Sequence, residues 1–451
     1  RTFANDGSGY FTEVLQTEPA LPFGPAVSIH QHAAIDLNGD ALPDHVMLGT
    51  GTLAVAWNLG GLQFGDVEVL YQPDEDDMPI FSSMSFGDVD GDGDLDAALA
   101  GIARASDGFC DGEVEECENG IPERLLIQDD GVFELATELT PLQGAGAALV
   151  VVFTDFDGDG DADLHALSDV ARQSPSGFYR NDGLDSEGSP LLTDVAPELN
   201  ADLRMSGMGM ATGDFNGDGL LDYCMTDIGP ILCLLSAGDG AFVQAGASVG
   251  LLPESISDPN TWSAWSLELQ DLDNDGWLDA ACSAGLDVGG KLSAEFQVDA
   301  IWQGVGPMSF EERSVELGFD DIRSHYGLVT TDLNGDGFLE IVMSNATEPP
   351  VVWFNTCDGA NWLEVELEGG TGNPQAFGAR VELEAGGQTW IQEVQNVRAT
   401  AQGPSRLHFG LGETETVEAL RVRWPSGETT VLEAFQARRL VTARLPGENA
   451  D

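Results

Sequence analysis

Oxygen-bearing side chains recur along this chain at one fixed spacing. In residues 88–96, DVDGDGDLD, aspartates at positions 1, 3, 5 and 9 (Asp88, Asp90, Asp92, Asp96) stand around glycines at positions 4 and 6. Those glycines let the backbone curl until the carboxylates converge. Converging carboxylates repel one another unless a cation sits among them. An all-oxygen donor set suits a hard divalent ion, and Ca2+ tolerates irregular loops better than Mg2+.

The same nonapeptide returns as Asp36, Asn38, Asp40 and Asp44 in 36–44; Asp155, Asp157, Asp159 and Asp163 in 155–163; and Asp214, Asn216, Asp218 and Asp222 in 214–222. Two more copies supply Asp271, Asp273, Asp275 and Asp279 in 271–279, and Asp332, Asn334, Asp336 and Glu340 in 332–340. Successive copies start 52, 67, 59, 57 and 61 residues apart, so the chain is a repeat array. An EF-hand begins alike but needs a bidentate glutamate at position 12 and flanking helices. Here position 12 is apolar throughout (Met47, Leu99, Ala166, Met225, Cys282, Met343) and lies in a strand-like run. The ninth carboxylate therefore opens a strand, and the expected cofactor is Ca2+, up to six ions in structural β-hairpin loops. The loops should differ: Ala41 replaces the sixth-position glycine of 36–44, making it the weakest, and Glu340 brings a longer arm to the last.

Positioning six such loops requires strands. Short apolar runs flank each copy, such as ALVVVFT before Asp155 and EIVMSN after Asp336, and a second pair surrounds a Gly-rich turn, so each unit reads as four short strands. Four-stranded units at this period predict an all-β calcium-loop β-propeller over residues 1–357, with six blades favoured and seven possible. The count of six assumes that the N-terminal RTFANDGSGYFTEV pairs with the last repeat. From about residue 360 the repeat stops, and alternating stretches such as NWLEVELEGG predict a small antiparallel β domain over 358–451.

Composition narrows the function. With 78 acidic and 17 basic residues the formal charge is −61, and six divalent ions would leave most of it, so nucleic acid and anionic membrane are poor partners. No apolar run approaches the roughly 18 residues of a membrane helix, and a chain starting at Arg1 reads as secreted or cell-surface, its signal peptide removed. Six cysteines fit an oxidising compartment. Cys110 with Cys117 and Cys224 with Cys233 are candidate disulfides; Cys282 and Cys357 remain by elimination, with buried free thiols as the alternative for that pair.

The loops resemble FG-GAP/VCBS repeats, the kind found in integrin α-chain propellers. The tail resembles the ASPIC/UnbV domain through NWL (361–363), GARV (378–381), HFGLG (408–412) and RWPSG (423–427). Together they resemble bacterial relatives of cartilage acidic protein 1. The resemblance implies a secreted calcium-binding propeller, seven-bladed in integrins, and no known reaction. No cysteine-rich EGF-like module follows the tail in this sequence, so roles tied to it do not carry over.

No catalytic arrangement is recognisable, and His408 is expected to be structural within its motif. The pair in HQH (30–32) could place two imidazoles on one strand face. Six residues before each loop stand His30, Ser82, Leu149, Met208, Trp265 and Tyr326, with Trp262 and His325 nearby. If the innermost strands line the axis, His30, Trp262, Trp265, His325 and Tyr326 form a possible ligand surface; packing between blades is the simpler alternative. The leading expectation is a non-enzymatic adhesion or binding module for an extracellular protein or glycan. The alternatives are a self-assembling structural subunit, its acidic propeller against a neighbour's more basic tail, and a calcium-dependent polysaccharide-active enzyme.

Overall fold

The computed structural model describes residues 2–14, 29–61, 63–73, 78–104, 121–129, 131–139, 148–169, 175–238, 240–245, 249–256, 258, 261–285, 297–346, 348–396 and 401–447. Cys110 and Cys117 lie outside the described residues. Every named element among the described residues is a strand.

Six sheets carry one aspartate loop each. In all six, the residue before loop position 1 pairs with position 9: Ile35 with Asp44, Gly87 with Asp96, Thr154 with Asp163, Gly213 with Asp222, Gln270 with Asp279 and Thr331 with Glu340. The loop is thus a hairpin connection between the first and second strands. Positions 4 and 6 need the left-handed backbone region, as at Gly91 (φ 76°) and Gly93 (φ 100°), and Ala41 is held there at φ 65°. Most first strands are buried on both faces, and Ala148–Thr154 is buried throughout, whereas that of the first blade exposes His30, His32 and Ala34. Fourth strands such as Val132–Leu139 expose most of their residues. This gradient is what radial stacking of twisted sheets produces, with apolar surface concentrated near the axis.

Five of these sheets are four-stranded and antiparallel; the fifth runs Ala264–Gln270, Asp279–Ala284, Ala300–Gly306 and Ser309–Glu312. Among the described residues the sixth has three strands, His325–Thr331, Glu340–Asn345 and Val351–Trp353. The N-terminal strands Thr2–Asn5 and Phe11–Val14 form their own two-stranded sheet and do not complete the sixth. Hydrogen bonding explains the arrangement. Asn181 on a third strand donates to Val89 O of the preceding loop (2.8 Å), and Asn355 donates to Leu272 O. Asn5 donates to Leu333 O in the same way (2.8 Å). The hairpin therefore stands to the sixth blade as the outer half of a following blade would.

Cys224 and Cys233, opposite each other on adjacent strands, form a disulfide. The expected pairing of Cys282 with Cys357 is not formed. Cys282 sits in the apolar core beside Trp262 and Trp302, whereas Cys357 is exposed beyond the last blade strand.

The C-terminal strands make two sheets. One orders Leu407–Gly412, Asn361–Glu368 and Arg439–Arg444, the last pair running parallel; the other orders Gln388–Glu393, Arg380–Ala385, Thr416–Arg423 and Thr429–Gln436. They are not separate from the blades. One continuous buried cluster joins Ile35, Leu37, Phe86 and Leu95 to Leu363, Phe377, Leu407 and Trp424.

Candidate metal centre

Each loop is built around two carboxylates that hold the backbone. The first-position aspartate accepts the N–H groups of the left-handed residues, as Asp88 does from Gly91 (2.9 Å) and Gly93 (3.1 Å). The ninth-position carboxylate reaches back to position 2 and across to the third strand: Asp96 accepts from Val89 N and Gln128 N, both at 2.9 Å. The same double acceptance recurs at Asp44, Asp163 and Asp279.

This arrangement brings positions 1, 3 and 9 together. Asp88, Asp90 and Asp96, Asp155, Asp157 and Asp163, and Asp271, Asp273 and Asp279 each place one carboxylate oxygen within 4.8 Å of the other two. The position-5 carboxylates Asp92, Asp159 and Asp275 do not join these groups. Each turns to accept the N–H two residues on, at 2.9 to 3.0 Å. In 36–44, 214–222 and 332–340 position 3 is Asn, and Asn38, Asn216 and Asn334 instead donate to Asp40, Asp218 and Glu340.

Burial drives the electrostatics. It pushes Asp96, Asp222 and Asp279 up to about 8 and Asp163 up to about 9, with repulsion from the other loop carboxylates adding in each case. Burial likewise raises Asp88 to about 6 and holds Asp271 well above the usual carboxylate range. Such groups cannot all be anionic without a compensating charge. The donor chemistry fits a hard cation: the clustered atoms are all oxygens, and Asp222 Oδ2 is buried with no hydrogen-bond partner.

The loop face is not free surface, because the C-terminal sheets lie on it. Gln375 and Gln402 grip Asp36 N and Ala34 N, and Asn396 accepts from Phe86 N. Glu393 accepts from Thr154 Oγ1 (2.7 Å) and Asp155 N (2.9 Å). His408 bonds through Nε2 to Asn274 Oδ1 at 2.6 Å, and burial lowers its pKa to about 4, so the neutral ring donates. Gly410 is pressed so closely on Asp271 that any side chain there would collide with the carboxylate. The sequence marks His408 through its motif but gives no signal that Asn274 is its partner, nor that Gln375, Glu393 and Asn396 hold Asp36, Asp155 and Phe86.

The expected ligand surface is only partly assembled. Trp262 is fully buried, donates to Val298 O (2.9 Å) and packs edge-on against Trp302. His325 is also fully buried, bonded to Asp299 at 2.7 Å. Both are therefore core residues. Trp265 and Tyr326 remain half-buried in edge-to-face contact, and His30 is exposed, 3.4 Å from Thr50. The imidazole beside His32 is not His30 but His45 across the hairpin, at 2.8 Å. Ser82 bridges to Ala148 O of the next blade, as packing between blades requires.

Comparison with known proteins agrees with the repeats and the tail. An FG-GAP-like repeat family matches residues 36–99 and 214–282, and the ASPIC and UnbV family matches 369–450. Cartilage acidic protein 1 is 24% identical in Homo sapiens over 54% of this chain and 44% of that protein, and 23% identical in Xenopus tropicalis over 54% and 45%. The match thus spans less than half the length of these curated relatives, and neither family nor relative is named for an enzyme. A lectin of Agrocybe aegerita, described for specific recognition of non-reducing terminal N-acetylglucosamine, aligns at 15% identity over 73% of this chain and 80% of that one, with a TM-score of 0.39. A Photorhabdus luminescens Tc holotoxin pore aligns at 18% identity over 72% and 14%, with a TM-score of 0.35. Likenesses this loose support no inference. On its repeats and its tail, the chain combines FG-GAP-like repeats with an ASPIC and UnbV domain and is homologous, at low identity, to cartilage acidic protein 1.

Proposed function

We propose that this chain is a secreted or cell-surface calcium-binding β-propeller, residues 1–357 with a C-terminal β domain from 358, that acts as a binding or adhesion module for protein or glycan partners. The observation that carries the reading is the convergence of the position 1, 3 and 9 carboxylates in three loops of one repeated scaffold. The positions proposed as ligands are those of all six loops, with the position-5 residues taking part once a cation draws them inward. Calcium is favoured over magnesium because the loops offer flexible, carboxylate-rich oxygen sets. Secretion is supported by the Cys224–Cys233 disulfide, and among the described residues no helix is long and apolar enough to cross a membrane.

Assembly through acidic blades and a neighbour's basic tail has less support. Arg421, Arg444 and Arg406 already pair with glutamates of their own sheets, and Arg423 donates to Gly158 O within the same chain. The test is calorimetric titration with calcium, followed by glycan-array and matrix-protein binding in 1 mM calcium and in EDTA. Saturable calcium uptake and calcium-dependent binding without turnover are expected. No calcium uptake, or glycan cleavage, would overturn the reading.

A further inference from the structure

The first blade departs from the other five at two positions that those five bury. Four residues before each loop, the first strand carries His32, Met84, Val151, Met210, Leu267 or Leu328, each paired with loop position 12 on the second strand. One residue past each loop, the second strand carries His45, Ala97, Leu164, Tyr223, Ala280 or Ile341. In the other five blades both residues are buried in the core. In the first blade both are imidazoles, His32 exposed and His45 half-buried.

Core packing accounts for the buried residues of five blades and not for a pair of imidazoles, whose ring nitrogens need partners. The two rings meet across the hairpin. His32 Nδ1 lies 2.8 Å from His45 Nε2, with the rings 22° from parallel. One of these nitrogens must be an unprotonated acceptor, the form in which imidazole binds a metal. Phe64 of the fourth strand packs edge-on against His45, 5.9 Å between ring centres, and holds its ring, while exposed His32 is free to turn.

The separation discriminates between ions. Two nitrogens about 2.0–2.1 Å from one ion stand about 2.9 Å apart at a right angle and about 3.3 Å apart at the tetrahedral angle. The observed 2.8 Å fits the right angle of a tetragonal Cu2+ or Ni2+ centre better than a tetrahedral Zn2+ centre.

We propose that His32 and His45 form a transition-metal site for Cu2+ or Ni2+, separate from the aspartate loops. The ion replaces the hydrogen bond between the rings and cross-links the first two strands of the blade. The loops offer oxygen alone and suit Ca2+, so filling them with calcium leaves the imidazole pair open. His30, two residues along on the same exposed face, contacts Thr50 Oγ1 (3.4 Å) and is not a ligand. His165, His325 and His408 are buried, out of reach of an ion arriving from solvent.

The test is copper titration of the full chain in about 1 mM calcium, read by electron paramagnetic resonance and its imidazole-nitrogen modulation. One equivalent should bind with a Kd of about 10 µM or below, carrying the signature of two imidazoles. His32→Ala and His45→Asn should each weaken binding at least tenfold, and His30→Ala should leave it within twofold. Copper held by oxygen ligands alone, an adventitious ion only, overturns the proposal, as does unchanged affinity in His32→Ala. Loss of nitrogen coordination in His30→Ala also overturns it, by assigning the copper to the pair within residues 30–32. The wild-type spectrum decides the ligand type even where His45→Asn fails to fold.

Discussion

The loops at 88–96, 155–163 and 271–279 and those at 36–44, 214–222 and 332–340 share one hairpin register, and the two sets are told apart by position 3, Asp in the first and Asn in the second. With Asp at position 3, three carboxylates converge and nothing within the group donates. With Asn there, the carboxamide donates to a neighbouring carboxylate, as Asn216 does to Asp218 at 3.0 Å. The Asn loops carry a donor of their own, whereas the Asp loops depend on charge from outside the group, such as Arg380 beside Asp155, and on a cation. Scaffold and charge demand are therefore separable, since the Asx turns and hairpin register persist in both kinds.

The largest effect expected is that of chelation. At about 1 mM free calcium and a Kd of about 0.1 mM, each site adds roughly 1.4 kcal/mol. Six sites add roughly 8 kcal/mol, comparable to a whole domain's stability of about 5–15 kcal/mol. Calorimetry in EDTA should show the midpoint fall by about 10 °C or more, and an unchanged midpoint would remove the cation from the account.

Next in size is a pH dependence confined to the cation-free protein. Asp96, Asp163 and Asp279 have folded-state pKa values of about 8 to 9, raised by burial from an ordinary value of 3.8. The cation-free folded state therefore holds protons that the unfolded chain releases. That stabilisation is complete below about pH 4 and is lost as pH rises through about 8 to 9. In EDTA the midpoint at pH 5.5 should exceed that at pH 8.5. Calcium should shrink or reverse the difference, because it binds the deprotonated groups and displaces protons. A flat EDTA profile would contradict the burial of these carboxylates.

Exchanging the two loop types should give opposite signs in the two conditions. Asp90→Asn should stabilise the EDTA form by about 0.5–1 kcal/mol, by removing a repulsive charge, and should weaken the calcium-induced shift. Asn216→Asp should do the reverse. Variants moving the same way in both conditions would mean that position 3 acts through packing and not through charge.

The smallest effect concerns the loop at 36–44. Ala41 is held at φ 65°, which glycine adopts without its side-chain penalty. Ala41→Gly should raise stability by about 0.5 kcal/mol in chemical denaturation, and a loss would show that another contact holds Ala41 in place.

Much of this was legible in the sequence because loop chemistry is local. Aspartate and glycine at offsets of two to eight residues dictate the turns, and the ninth residue opens the second strand whatever lies beyond. Asp92 is where local reading stopped short: the spacing offers it as a ligand but gives no sign that the N–H of Asp94 takes its Oδ1 at 2.9 Å, a bond that a cation would have to compete with. Trp262 and His325 were read as lining a surface from their nearness to the inner strands. Only neighbours far along the chain, Trp302 and Asp299, place them in the core.

The sequence by itself determined the repeat, the hairpin loops, the oxygen donor sets and the existence of a distinct C-terminal β region. Each of these depends on residues that meet within one or two turns of chain. Only the tertiary structure decided that the C-terminal sheets lie on the loop face, that Cys282 and Cys357 stay apart, and that among the described residues the sixth blade has three strands beside an open pocket. Those outcomes depend on contacts such as His408 with Asn274, 134 residues apart. No local pattern encodes such a contact, because the packing of whole sheets selects the partner.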